Sequence, residues 1–134
     1  MSGFSHFPLQ KAIYELLTGE TALMSLVTGV FDKVPENTSF PYIMLGDITS
    51  SDWSSKTTLG MECVALLTIF SRKGGRQQAT EIMECIQTLL HDADIVVNDH
   101  ELVMMRFISS NILLEADGET YRGSMRYKAL LQAV

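Results

Sequence analysis

Cysteine is nearly absent, with only Cys63 and Cys85 in 134 residues. Two cysteines do not make a disulfide framework, and their separation matches no zinc pattern. The simplest reading is residence in a reducing cytoplasm with both thiols free. Basic residues are also few: ten Lys and Arg face sixteen Asp and Glu, for a net charge of −6. Non-specific nucleic-acid binding needs the opposite sign, so that class is excluded early. No apolar run approaches the ~18 residues of a membrane-spanning helix. The most apolar stretch, Val64 to Phe70, is interrupted by Thr68. The opening MSGFSHFPLQKAIYELL has neither a basic n-region nor an apolar h-region, so no signal peptide is expected. There is no P-loop, no G-x-G-x-x-G and no G-x-S-x-G elbow. His100-Glu101 begins like a zincin motif, but Met104 stands where the second histidine belongs.

What is present is a chain that can fold. Hydrophobic residues make up 46% and charged residues 19%, which excludes a disordered tail. The length suits a single domain over residues 1–134 that buries roughly two-thirds of its unfolded surface.

The apolar spacing predicts the elements. Pro8 fits a first helical turn, and Leu9, Ala12, Ile13, Leu16 and Leu17 follow at helical spacing. A short second helix is expected over Thr21–Val27, before Gly29. Val30–Val34 and Tyr42–Thr49 read as strands, separated by the loop PENTSFP, with Pro41 favouring an extended entry. Ser50–Thr58 (SSDWSSKTT) reads as a mobile polar loop carrying the only tryptophan, Trp53. Leu59–Ser71 is a long strand with apolar residues on both faces, which predicts a cover on both sides.

The best helix begins at Gly74-Gly75, with Ala79, Ile82, Met83, Ile86, Leu89, Leu90 and Ala93 along one stripe. A hairpin of Ile95–Val97 with Leu102–Leu114 should turn at Asn98-Asp99. A second turn at Asp117-Gly118 leads into the strand Thr120–Ala133. The order α-α-β-β-β-α-β-β-β predicts an α+β fold, a mainly antiparallel β-sheet packed by one long helix plus N-terminal helices.

Few residues suggest chemistry. HDADIVVNDHE clusters His91, Asp92, Asp94, Asp99, His100 and Glu101, which could meet at a divalent ion. A helix end followed by a turn explains the same residues, and that reading is preferred. Cys63 alternates with core residues, and nothing in the sequence places a base or a cation beside either thiol. Arg72-Lys73-Gly74-Gly75-Arg76 could hold a phosphate at a helix start, but solvated charges on a strand-to-helix turn account for it more simply. Arg122, Arg126 and Lys128 form a basic stripe on one face of the last strand. Such a stripe in an acidic chain is either solvated or registers against an acidic surface of another subunit.

Three stretches, in order, carry a resemblance. VFDKVPENTSFPYIMLGD (30–47) has a short strand, Asp, Val-Pro, a loop, Phe-Pro-Tyr, an apolar strand and Gly. FSRKGGRQQATEIMECIQTLLHDADI (70–95) has a strand, Ser-Arg, Gly, a long helix and Leu-His-Asp. DGETYRGSMRYKALL (117–131) closes with Asp-Gly, an aromatic, Arg-Gly and basic alternation. Together they resemble the tail-completion or tail-terminator proteins of long non-contractile tailed phages, prophages and gene transfer agents.

The resemblance implies a structural virion assembly protein with no catalytic residues, cofactor or metal. It implies a homo-oligomeric ring, typically of six subunits, on the head-proximal end of the tail tube. The ring would stop tube polymerisation and meet a head connector protein. It would form in the bacterial host cytoplasm and remain in the virion. Six copies carry about −36 in charge, so DNA could pass an acidic lumen without specific binding. No membrane is implied. The interface candidates are Trp53, Arg122, Arg126 and Lys128, since Trp and Arg are enriched at the energetic centres of interfaces. The competing readings are a head-to-tail connector or stopper, a small cytosolic enzyme using Cys63 or the His91–Glu101 cluster, and a monomeric binding module.

Overall fold

Apolar residues three and four apart make the first helix, α1 (His6–Thr18), bury Leu9, Ala12, Ile13 and Leu17. The computed structural model describes residues 6–73 and 75–134. A single turn, α2 (Thr21–Met24), buries Leu23, and it stops three residues short of the expected Val27. The strands are β1 (Val30–Phe31), β2 (Tyr42–Asp52) and β3 (Gly60–Ser71), followed after the long helix α3 (Gly75–Leu90) by β4 (His100–Leu114) and β5 (Tyr121–Ala133).

The five strands form one sheet in the order β1-β2-β3-β5-β4. β1 runs parallel to β2, and every other pair is antiparallel. This is the expected α+β fold with one strand fewer. Ile95–Val97 does not form a strand: Val97 makes only an isolated bridge to His100. Left-handed backbone at Asp92 and Asp99 bends the chain on either side of it. The six residues between these bends make no ladder beyond that bridge, and Val97 is buried in the core instead.

Both long helices lie on one face of the sheet. There Ile82, Ile86 and Leu90 of α3 and Leu9 and Ile13 of α1 meet Ile43, Leu67, Ile69, Met125, Tyr127 and Leu131 in one core. The Tyr127 hydroxyl donates to Gln87 Oε1 on α3, so the largest buried side chain has its polar tip satisfied. Among the described residues, no helix covers the other face of the sheet. The expectation that β3 is covered on both sides is therefore wrong within one chain: Val64, Leu66 and Phe70 are only half-buried. The apolar residues on both faces of β3 reflect a central strand whose second face is covered by no helix among the described residues.

Candidate assembly surface

β5 alternates as its sequence predicts. Met125, Tyr127, Ala129 and Leu131 are buried beneath α3, so Arg122, Ser124, Arg126 and Lys128 project from the open face. Two of the cations are tied to carboxylates on the same chain. Lys128 Nζ lies 3.4 Å from Glu62 Oε1 on β3. Arg122 Nε lies 3.3 Å from Glu115 Oε1, an ion-pair distance without hydrogen-bond geometry. Arg126 is exposed and stands in register between Leu66 of β3 and Ser109 of β4. It has no carboxylate partner among the described residues. Its isolation at mid-sheet is invisible to sequence reading, because the pairing of the other two depends on register.

Trp53 lies at the β2–β3 hairpin, beyond the Lys128 end of this stripe, where Gly60 stands opposite Gln132. The mobile loop expected over Ser50–Thr58 is replaced by a shorter, hydrogen-bonded turn, since Ser50, Ser51 and Asp52 belong to β2. The Trp53 N–H donates to the Gly60 carbonyl at 2.9 Å, and the Ser55 N–H to the Thr58 carbonyl at 2.9 Å. Ser54 Oγ accepts the Gly60 N–H at 3.0 Å and donates to Asp52 Oδ1 at 2.6 Å. The small polar residues act as turn formers that satisfy backbone groups. Trp53 is 38% exposed, with its ring against Gly60.

On the helical side a groove of about 300 Å³ opens between α3 and β4. Met83, Phe107, Ile112 and Met125 form its apolar floor, with Glu84 and Gln87 on its lining. Nothing in the sequence marks it, because α3 covers β5 while β4 extends past the helix. Glu81 and Glu84 are exposed on α3 beside it. Glu20 lies close enough to α3 for its charge to raise the Cys85 thiol, a shift that burial starts and Glu20 adds to.

The His91–Glu101 cluster separates in the fold. His91 Nδ1 accepts the Phe107 N–H at 3.3 Å, and its Nε2 points at Asp92 Oδ2, 3.3 Å away. His100 Nδ1 donates to the Asn98 carbonyl at 2.7 Å. No three His, Cys, Asp or Glu side chains gather around a common point among the described residues. Cys63 is buried in the core and Cys85 half-buried. Arg72 is used internally: it stacks on Phe40, donates from Nε to Thr120 Oγ1 at 2.9 Å and lies 3.7 Å from Asp117.

The three stretches that carry the resemblance therefore meet at one end of the sheet, through Phe40, Arg72 and Asp117. The family model described as Tail completion protein gp17 matches residues 11–132. The chain belongs to that family. A relative, the Tail completion protein gp17 of Bacillus phage SPP1, is 23% identical over 122 residues, covering 90% of this chain and 89% of that protein. A chain in the virion of a native gene transfer agent particle aligns with a TM-score of 0.87 at 25% identity, over 93% of this chain and 95% of that one. The bacteriophage SPP1 gp17 structure shares the fold, with a TM-score of 0.61 at 21% identity over 90% and 86% of the two chains. This member of the tail-completion family has a structural assembly role in the virion tail.

Proposed function

We propose that this chain closes into a ring of identical copies, six on the family resemblance, at the head-proximal end of the tail tube. The ring ends tube polymerisation, contacts the tube protein on one side and offers the head connector a surface on the other. The observation that carries this reading is the near-complete alignment to a chain of an assembled gene transfer agent particle. The reading assigns the chain no catalysis, cofactor or membrane contact. Assembly takes place in the bacterial cytoplasm, and DNA passes through the lumen without specific binding. A net charge of −6 per copy suits that passage, because like charge keeps the duplex from adhering to the wall.

A deletion strain tests the role. Loss of a terminator leaves abnormally long tubes, measured by negative-stain microscopy of lysates. Tails of normal length that fail to join heads would instead assign the chain to the connector, and tails that join heads normally would end both readings. Light scattering of the purified chain over a wide concentration range tests the ring itself.

A further inference from the structure

We propose that the open sheet face of one copy packs against the helical side of the next, with Arg126 entering the groove between α3 and β4 and pairing with Glu84. This rests on the ring reading above and specifies which surfaces make the ring.

Each sheet edge is already covered over part of its length. The segment after α3 already occupies the outer edge of β4: the Asp92 N–H donates to the Met105 carbonyl at 2.9 Å, and the Phe107 N–H to His91 Nδ1. Register shifts between Leu102 and Met104 and between Phe107 and Ser109 distort the same strand. Bulges and covered edges are the means by which proteins prevent strand addition. At the opposite edge, β1 and the Gly29 carbonyl occupy the start of β2.

The open face has the opposite character. Its four long strands span about 15 Å by 30 Å at ~4.8 Å between strands and ~3.3 Å per residue, a large part of one side of a standard interface. Half-buried Val64, Leu66 and Phe70 supply apolar surface, and Arg126 supplies a cation with no carboxylate of its own. Two copies meeting through this same face would give Arg126 no free carboxylate to pair with, since Glu62 and Glu115 already face Lys128 and Arg122.

The helical side complements it. The groove has an apolar floor for the methylene stem of an arginine and a carboxylate, Glu84, for its guanidinium. Glu81, one turn before Glu84 on the exposed side of α3, adds negative charge nearby. Glu84 has no cationic partner among the described residues. Donor and acceptor surfaces lie on opposite sides of one subunit, so the contact is heterologous and generates a ring when the rotation closes.

The test is a charge swap, read by mass photometry of the purified chain and by occupancy of isolated tail ends. Arg126→Glu alone and Glu84→Arg alone each lower ring assembly at least tenfold, with melting curves unchanged because both residues are exposed. The double variant recovers assembly to within about threefold of the parent chain. Rings that form normally in either single variant overturn the proposal, as does a double variant no better than the singles. A parent chain monomeric both in solution and on tail ends overturns the ring reading itself, a different result from intact rings indifferent to these charges.

Discussion

The Arg72 guanidinium lies 4.3 Å above the centroid of the Phe40 ring. Around this pair, Tyr42 stacks on Phe70 at 5.2 Å between centroids, and Arg72 reaches Asp117 and Glu119, each at 3.7 Å. Arg72 thus ties the Phe-Pro-Tyr segment and the β3–α3 turn to the β4–β5 turn, three parts of the chain remote in sequence. Its value lies in planar stacking and a fork of donors, which lysine cannot reproduce.

Arg72→Ala is therefore expected to cost about 1–2 kcal/mol, from a half-exposed cation–π contact and screened ion pairs. Arg72→Lys should recover less than half of that. Urea denaturation of the three proteins checks both; full rescue by lysine would reduce the contact to charge alone.

The turn that Arg72 reaches has its own pH signature. Asp117 accepts hydrogen bonds from the Thr120 hydroxyl and from the Glu119 and Thr120 backbone N–H groups, and Arg72 adds attraction. Together these hold its carboxyl down at about 2, from an ordinary value of 3.8. A lowered folded-state pKa gives stability that is complete above the unfolded value and is lost as pH falls through the folded one. The turn should thus persist at pH 4 and loosen between about pH 4 and 2. Carboxyl NMR titration checks this, and Thr120→Val should move the midpoint up towards 3.8.

The two thiols should separate cleanly. Burial and the Glu20 charge raise Cys85, and Cys63 is wholly buried. At neutral pH Cys85 is expected to react several-fold more slowly than a free cysteine, because the thiolate is the nucleophile. Glu20→Gln should speed it, and Cys63 should react only on unfolding. A fast thiol in the native protein would reopen the enzymatic reading.

Local pattern made much of this fold legible. The stripe from Ala79 to Ala93 and the alternation from Thr120 to Ala133 each carry one periodicity over many residues; both elements form, though α3 stops at Leu90, short of Ala93, and β5 starts at Tyr121. The turn at Asn98-Asp99 was legible and Asp99 is left-handed there, but the bend at Asp92 was not, and Ile95–Val97 pairs no further than the Val97–His100 bridge. The unpaired state of Arg126 and the groove beside Glu84 depend on strand register and on how far β4 outruns α3. Those are properties of the assembled sheet, which no local window of sequence contains.

The β2–β3 hairpin offers the sharpest separation of folding from assembly. A Cβ added at Gly60 would lie 2.5 Å from the Trp53 carbonyl oxygen and 3.0 Å from its ring, so Gly60→Ala should cost about 1–3 kcal/mol by forcing the hairpin backbone apart. Trp53→Ala disturbs no backbone bond, since its hairpin bonds run through its own N–H and through Ser54. The ring is more than half buried, however, so its loss should still cost about 1–2 kcal/mol. If Trp53 also contacts a neighbouring subunit or the tail tube, Trp53→Ala will weaken tail joining more than Gly60→Ala at matched stability. Melting curves together with counts of joined particles decide it: equal joining at equal stability would confine Trp53 to supporting the hairpin.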